Sequence, residues 1–339
     1  MLNLHIVPES PLDGPRWACA EIRLLRPYQH SRLRNQVVTT VGRVVPSSRV
    51  DAIVAQRVGT SEIGLDHLTA LVREARQRGV PLIYDLDDDL LAEHPSPAMD
   101  AALDKHRPQV RFLAQEADLV IASTEVLATR LRPFNTNVHV WKNALDERLA
   151  LPLRHDENSD LGYFGTASHL EDLLSVLESL QAGLSPVGGR RLNAEICGVS
   201  EDDRTAGLLS GLCDISTRPP NGNYPGFMRG FQQRPAWKAG LSPLADSPFN
   251  RGKSDIKFLD YALFGIAGVY PRDSVYDEVV HGETGMLAGP DEWGEMARTL
   301  IEDEALRRRI RENARDHLMQ TRTLERRVGA LWEILQTVL

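Results

Sequence analysis

The feature that most limits what this chain can fold into is a grammar that repeats along it. A short apolar run rich in β-branched residues is followed by a turn-rich loop and then by a helix-period pattern. Leu2 to Val7 ends in the loop Pro8 to Arg16, and a helical pattern follows from Trp17 to about Tyr28. Val37 to Val45 and Val50 to Ala55 read as strands, Leu65 to Arg78 as a helix and Val80 to Tyr84 as the next strand. A long polar helix over about Ala98 to Gln115, carrying His106, precedes strands at Ala117 to Ala122 and Val138 to Trp141. Strands separated by helices pair in parallel and need cover on both faces, so the alternation predicts a doubly wound α/β sheet. Loops at the carboxyl ends of such strands line the ligand crevice, which puts Gly14 and Arg16 beside it.

The grammar stops once and restarts. Residues 147–160, with Pro152, Asp156, Asn158 and Asp160, signal a linker. Beyond it come a strand at Leu161 to Phe164, the small-residue loop Gly165-Thr166-Ala167-Ser168-His169, a helix from Leu170 to Gln181 and a strand from Arg191 to Cys197. Val275 to Val280, a Gly282 to Leu287 strand, charged helices from Pro290 to about Gln320 and an amphipathic helix from Leu324 complete the chain. A chain of 339 residues exceeds the size at which one core keeps growing, so two domains are expected. Hydrophobic content of 42%, charged content of 25% and a net charge of −8 argue against disorder and against nucleic acid as a bulk electrostatic partner. Cys19, Cys197 and Cys213 share no metal-ligand spacing and form an odd set, and no apolar run is long enough to cross a bilayer, so a reducing cytoplasm is the expected compartment.

The chemistry is expected around residues 242–269. Asp246 to Gly252 reads as a loop carrying Pro248, Asn250 and Gly252; Ser254 or Asp255 can cap the helix that follows, and Gly265 stops it. A glycine loop opening a helix turns free N–H groups toward one spot, a natural anion site. Lys253 and Lys257, four residues apart, add two ammonium groups suited to a diphosphate, and Asp260 offers a carboxylate to ribose hydroxyls. The loop Gly165 to His169 can bring further N–H groups and hydroxyls to an anion, and Tyr224 or Phe227 offers either a face for a nucleobase or core packing. Asp85, Asp87, Asp88 and Asp89 crowd the carboxyl end of one strand, and their repulsion must be offset. A divalent ion, a set of sugar hydroxyls, and a capped turn with solvated acids are three readings of that cluster. Arg23, Arg26, His30, Arg32 and Arg34 form a basic stretch that suits either a solvated helix face or peripheral contact with anionic lipid.

Several of these segments resemble the GT-B glycosyltransferases, and in particular the large retaining nucleotide-sugar-dependent family, glycosyltransferase family 4-like, used in polysaccharide assembly. Val140-Trp141-Lys142-Asn143-Ala144-Leu145-Asp146 is similar to the family's interdomain segment, an apolar strand followed by Pro-Asn-Gly-Val-Asp. Tyr163 to Leu173 is similar to the start of its donor domain, and Lys253 to Ala262 and His281 to Leu287 to its donor helix and the strand after it. The resemblance covers most of residues 138 to 320 and the N-terminal half by architecture. The family's Glu-x7-Glu pair would fall at 252 and 260, where this chain has Gly252 and Asp260. Its Arg and Lys pair after the first donor-domain loop has no counterpart between Gly165 and Asp172, leaving Lys253 and Lys257 as the diphosphate ligands.

The resemblance implies an α/β GT-B fold, two doubly wound Rossmann-like domains facing across a cleft. Residues 1–150 would bind the acceptor and 151–320 the nucleotide sugar, with 321–339 forming a helix that crosses back to the first domain. It implies a hexosyl transfer from a nucleoside-diphosphate sugar to a saccharide or lipid-linked acceptor, with retention, in bacterial-type surface polysaccharide or glycoconjugate synthesis. Lys253 and Asp87 are the expected catalytic residues. Donor contacts are expected from Gly165, Thr166, Ser168, His169, Tyr224, Asn250, Ser254, Lys257 and Asp260, and acceptor contacts from Gly14, Arg16, Asp85 and Asp88. No metal and no cofactor beyond the co-substrate is expected, and the location is the cytoplasm, at the inner face of the membrane if the basic stretch docks there. An inverting transferase would instead need a general base, Asp87 or His106, and a scaffold that binds the nucleotide sugar without turning it over is the non-enzymatic alternative.

Overall fold

The computed structural model describes residues 1–9, 17–57, 64–184, 191–198, 213–218 and 223–339. Gly14 and Arg16 lie outside these residues. The chain divides into a unit made of Met1–Glu147, Ser247–Ser254 and Arg322–Leu339 and a second made of Arg148–Asp246 and Asp255–Thr321. Cys19, Cys197 and Cys213 form no disulfide with one another. No helix among the described residues is long and apolar enough to cross a membrane.

The first unit is a six-stranded sheet built from β1 (Leu2–Val7), β2 (Val37–Val41), β3 (Ala52–Gln56), β4 (Leu82–Leu86), β5 (Leu119–Ala122) and β6 (Val138–Val140) in the order β2-β1-β3-β4-β5-β6. Every pair in it is parallel. β3, β4 and β5 are buried throughout, which is why they read as largely apolar runs, broken only by Gln56 and Asp85, rather than alternating ones. The helix Leu65–Arg78 buries Leu68, Leu71, Val72 and Ala75 at spacings of three and four and ends at Gly79, which takes the left-handed conformation. The long helix expected before β5 is two helices, Pro97–Asp104 and Arg107–Glu116. Pro108, which cannot donate to a preceding turn, sits at the start of the second, so the chain restarts there. The final helix, Leu324–Leu335, belongs to this unit and buries Leu324, Val328, Leu331 and Leu335 with Leu4, Ile6, Leu24 and Trp141, while Trp332 packs at the margin.

The second unit repeats the plan with β7 (Glu157–Phe164), β8 (Leu192–Cys197), β9 (Cys213–Arg218), β10 (Ala236–Leu241), β11 (Gly268–Pro271) and β12 (Met286–Ala288), again all parallel, in the order β12-β11-β10-β7-β8-β9. The expected linker extends too far: Asn158 and Asp160 are in β7, where Asp160 exchanges hydrogen bonds with Asn193 and its carboxylate pairs with Lys238 at 3.0 Å. Polar residues tied in this way look like loop in a sequence. β9 ends at Arg218, before Tyr224 in the sequence, and Val275 to Val280 is a turn whose Tyr276 and Val279 are buried from irregular backbone.

Candidate active site

In each sheet the connections of two neighbouring strands leave in opposite directions, between β1 and β3 in the first and between β7 and β10 in the second. The carboxyl ends at such a switch point are where open α/β sheets place ligands.

In the second unit, β7 runs into Gly165, Thr166 and the single 3₁₀ turn Ala167–His169, and Gly165 donates its N–H to the carbonyl of Cys197 at 3.0 Å. Thr166 Oγ1 and Ser168 Oγ lie 2.7 Å apart, and His169 Nδ1 donates to Asp172 Oδ2 at 2.8 Å. The other oxygen of Asp172 accepts from the N–H of Ala245, at the end of β10, at 2.9 Å. Asp172, 1% exposed, therefore ties the two loops of the switch point together and orients the imidazole of His169. Nearby Ser242 Oγ and Tyr276 OH form a buried pair at 2.6 Å.

The helix Ile256–Phe264 follows, with Asp255 in the N-cap position and Gly265 ending it at φ +69°. Lys257 and Asp260 are three residues apart and so share a face. Lys257 Nζ donates to Tyr163 OH at 3.3 Å and stands 4.8 Å from the centroid of that ring and 5.9 Å from that of Phe164. Asp260 is buried, and its Oδ1 has no hydrogen-bond partner among the described residues. Burial pushes its pKa up to about 7, with the Lys257 ammonium pulling the other way. Tyr224 is buried at the start of the helix Tyr224–Gln232, whose first turn Asn223 caps, and Phe227 packs edge-on against Phe164 and Phe264. Tyr224 and Phe264 are buried, while Phe164 and Phe227 are half-buried.

The stretch expected to act as one clamp is divided between the units. Ser247–Ser254 belongs to the first, so Lys253 is in the first unit and Lys257 in the second. The segment is not an open glycine loop either. Ser247 caps a short helix, Pro248–Arg251, accepting from the N–H of Asn250 at 3.1 Å, and Pro248 starts it. The N–H groups of Arg251, Gly252 and Lys253 are spent on carbonyls of Ser247, Phe249 and Asn250, so the free amides expected there are already paired. Lys253, 8% exposed, holds its ammonium 5.2 Å from the centroid of the Phe249 ring, and Ser254 Oγ accepts from Asn143 at 2.8 Å. Gly252 has a steric reason: a Cβ there would stand 2.7 Å from the Cβ of Asp89.

Three arginines offset the acid cluster after β4, and none of them was singled out as an acid partner in the sequence. Arg23 forms a two-pronged pair with Asp85, Nε to Oδ1 at 3.0 Å and NH2 to Oδ2 at 2.8 Å, and donates through NH1 to Trp141 O and Asn143 Oδ1. Asp85 is 1% exposed with both oxygens engaged, so it anchors Arg23 and is not turned toward an acceptor. Arg57 binds Asp87 through Nε and Asp88 through NH2, each at 2.5 Å, and Glu9 through NH1 at 3.1 Å. Its φ of +48° is left-handed, a strain of roughly 1–2 kcal/mol for a residue with a Cβ. Arg130 Nε donates to Asp89 Oδ2 at 3.2 Å. In the basic stretch after Arg23, Arg26 pairs with Asp146 and the buried His30 with Glu147 at 2.8 Å, while Arg32 and Arg34 are exposed and Arg32 pairs with Glu325 at 2.6 Å.

No protein-family model matches the sequence, and no curated protein matches it. Solved structures do. Anabaena HepE in complex with UDP-glucose superposes with a TM-score of 0.69 at 17% identity, over 99% of this chain and 100% of that one. The sucrose-phosphate synthase of Thermosynechococcus elongatus gives 0.61 at 14% identity over 85% and 73%. A mutant of S. aureus TarM in complex with Fondaparinux, alpha-GlcNAc-glycerol and UDP gives 0.62 at 9% identity over 84% and 56%. Two six-stranded parallel sheets with flanking helices, and this set of structural neighbours, establish the architecture: the chain has the GT-B fold.

Proposed function

We propose that this protein is a glycosyltransferase that moves a hexosyl group from a nucleoside-diphosphate sugar to a saccharide or lipid-linked saccharide acceptor. The observation that carries the reading is the pair on the helix Ile256–Phe264: a buried ammonium and, one turn on, a buried carboxylate with one unpaired oxygen, at the carboxyl edge of a parallel sheet. A diphosphate suits the charge of the first, and a ribose hydroxyl can donate to the unpaired oxygen of the second. The hydroxyls of Thr166 and Ser168 add donors at the same edge, beside His169, whose ring Asp172 holds. The nucleotide ligands of HepE and TarM agree with this chemistry. On this reading Lys257 stabilises the departing diphosphate, which is the main electrostatic demand of the reaction.

A thermal-shift series with UDP, GDP, dTDP and CMP tests it, since a ligand bound by the native state stabilises by mass action. One nucleotide should raise the unfolding temperature, and Lys257→Met should remove most of that shift, a loss of about 1.5–3 kcal/mol in binding for one charge-assisted bond. If none of the nucleotides or their sugar derivatives shifts the wild-type protein, the proposal fails.

A further inference from the structure

The diphosphate of a nucleotide sugar carries a pair of negative charges, and Lys257 answers only one of them. The segment Gly165 to Asp172, where the resembling family carries Arg and Lys, holds a single side chain that can become a cation, His169. Its side chain is 21% exposed, whereas that of Asp172, which holds Nδ1 at 2.8 Å, is 1% exposed. Both oxygens of that carboxylate accept N–H bonds, one from His169 Nδ1 and one from Ala245, which favours its ionised form. A buried carboxylate at this distance favours the protonated ring, and with Nδ1–H turned to Asp172 it is Nε2 that is left to meet a ligand. Gly165 sets the ring near the lysine. A Cβ on it would stand 3.2 Å from Tyr163 OH and 3.3 Å from His169 Cβ, so the imidazole and the phenol that accepts from Lys257 Nζ at 3.3 Å flank the same glycine. The other ionisable groups around this edge are Glu171 and Asp246, on the two segments that Asp172 joins, together with Asp255, Asp260, Tyr163 and Tyr276; burial keeps both phenols protonated.

We propose that protonated His169, positioned by Asp172, is the second cation of the diphosphate site, so that this chain has a charge that depends on pH where its resembling family has permanent ones. Nε2–H of the imidazolium donates to a diphosphate oxygen, and Lys257 meets the same group. Asp172 is a positioning residue that fixes the tautomer and balances the charge of the ring. Binding draws a proton from solvent wherever the free ring is neutral, and donor affinity falls as pH rises above 7. Asp260 acts in the opposite direction, gaining its charge as pH rises to about 7, so the two effects separate on either side of neutrality. The inference rests on the transferase reading above and adds to it how this site holds its donor.

Titration calorimetry with UDP-glucose, or with whichever nucleotide sugar stabilises the protein most, is the test, because a nucleotide sugar lacks the terminal phosphate that titrates near pH 6. At pH 8, where Asp260 is ionised, titrations in buffers of different ionisation enthalpy count the protons taken up. Wild-type protein should take up about half a proton there, and its affinity should drop about tenfold between pH 7 and 9. In Asp172→Asn the Ala245 N–H keeps the amide oxygen, so the amide nitrogen donates to Nδ1 and the ring stays neutral with its proton on Nε2. Proton uptake and the fall in affinity above pH 7 should both vanish, with circular dichroism reporting the fold. His169→Gln should lower affinity about tenfold at pH 7 and little at pH 9, and His169→Arg, charged throughout, should flatten the profile. Wild-type binding without proton uptake at pH 8, or a folded Asp172→Asn or His169→Gln protein that keeps the wild-type uptake and slope, overturns the assignment. A wild-type protein that binds no nucleotide sugar at any pH overturns the transferase reading itself.

Discussion

Asp260 is a pH gauge inside the candidate donor site. Its folded-state pKa of about 7 lies well above the value near 3.9 of a carboxyl in an unfolded chain. Well below pH 4, the carboxyl is protonated in both states and has no cost. As pH rises from 4 to 7, the unfolded state loses the proton first, and stability falls until both states are ionised above pH 7. A gap of about three pH units at 1.36 kcal/mol each gives about 4 kcal/mol lost across that window. Asp260→Asn removes the titration. The buried amide has its own desolvation cost of about 1–3 kcal/mol, so the variant should gain roughly 1–3 kcal/mol over wild type at pH 8 and lose that advantage at pH 4.5. Thermal or urea unfolding from pH 4.5 to 8.5 reads this directly as the difference between the two proteins, in which the titration of the histidines cancels. A ribose hydroxyl donating to Oδ1 favours the ionised form, so nucleotide affinity of the wild type should rise toward pH 7 and be flat in the variant. Parallel stability curves for the two proteins between pH 5 and 7.5 would refute the reasoning, because they would mean that Asp260 titrates like an exposed acid.

The buried pair Arg23 and Asp85 should respond asymmetrically. Asp85→Ala leaves a guanidinium stranded and should cost about 3–5 kcal/mol by urea unfolding, whereas Arg23→Met combined with Asp85→Leu should cost clearly less; equal costs would show that the pair is not coupled. Transferase or hydrolase activity should persist in EDTA, since on the proposed reading the Lys257 ammonium meets the diphosphate, and Arg57 and Arg130 already engage Asp87, Asp88 and Asp89. Loss of activity that Mg²⁺ or Mn²⁺ restores would instead favour a divalent ion at the acid cluster.

The sequence by itself determined whatever rests on local pattern. Short apolar runs such as Leu119 to Ala122 read as strands covered on both faces, and their alternation with helices such as Leu65–Arg78 leaves little besides two doubly wound sheets. The helix carrying Lys257 and Asp260 and its stop at Gly265 were legible for the same reason: spacing and the left-handed glycine are properties of neighbouring residues. Tertiary structure decided what depends on residues far apart in the chain. Asp85, Asp87 and Asp88 look in sequence like acids awaiting a cation or a sugar, and only the fold brings Arg23 and Arg57, 62 and 30 residues away, to neutralise them. The clamp imagined from Lys253 and Lys257 fails to appear as one element because Ser247 and Pro248 start a short helix whose Phe249 joins the core of the first unit. Glu9, plain in a turn-rich loop, becomes conspicuous only when burial and two neighbouring carboxylates raise its pKa, and desolvation is a property that no stretch of sequence carries on its own.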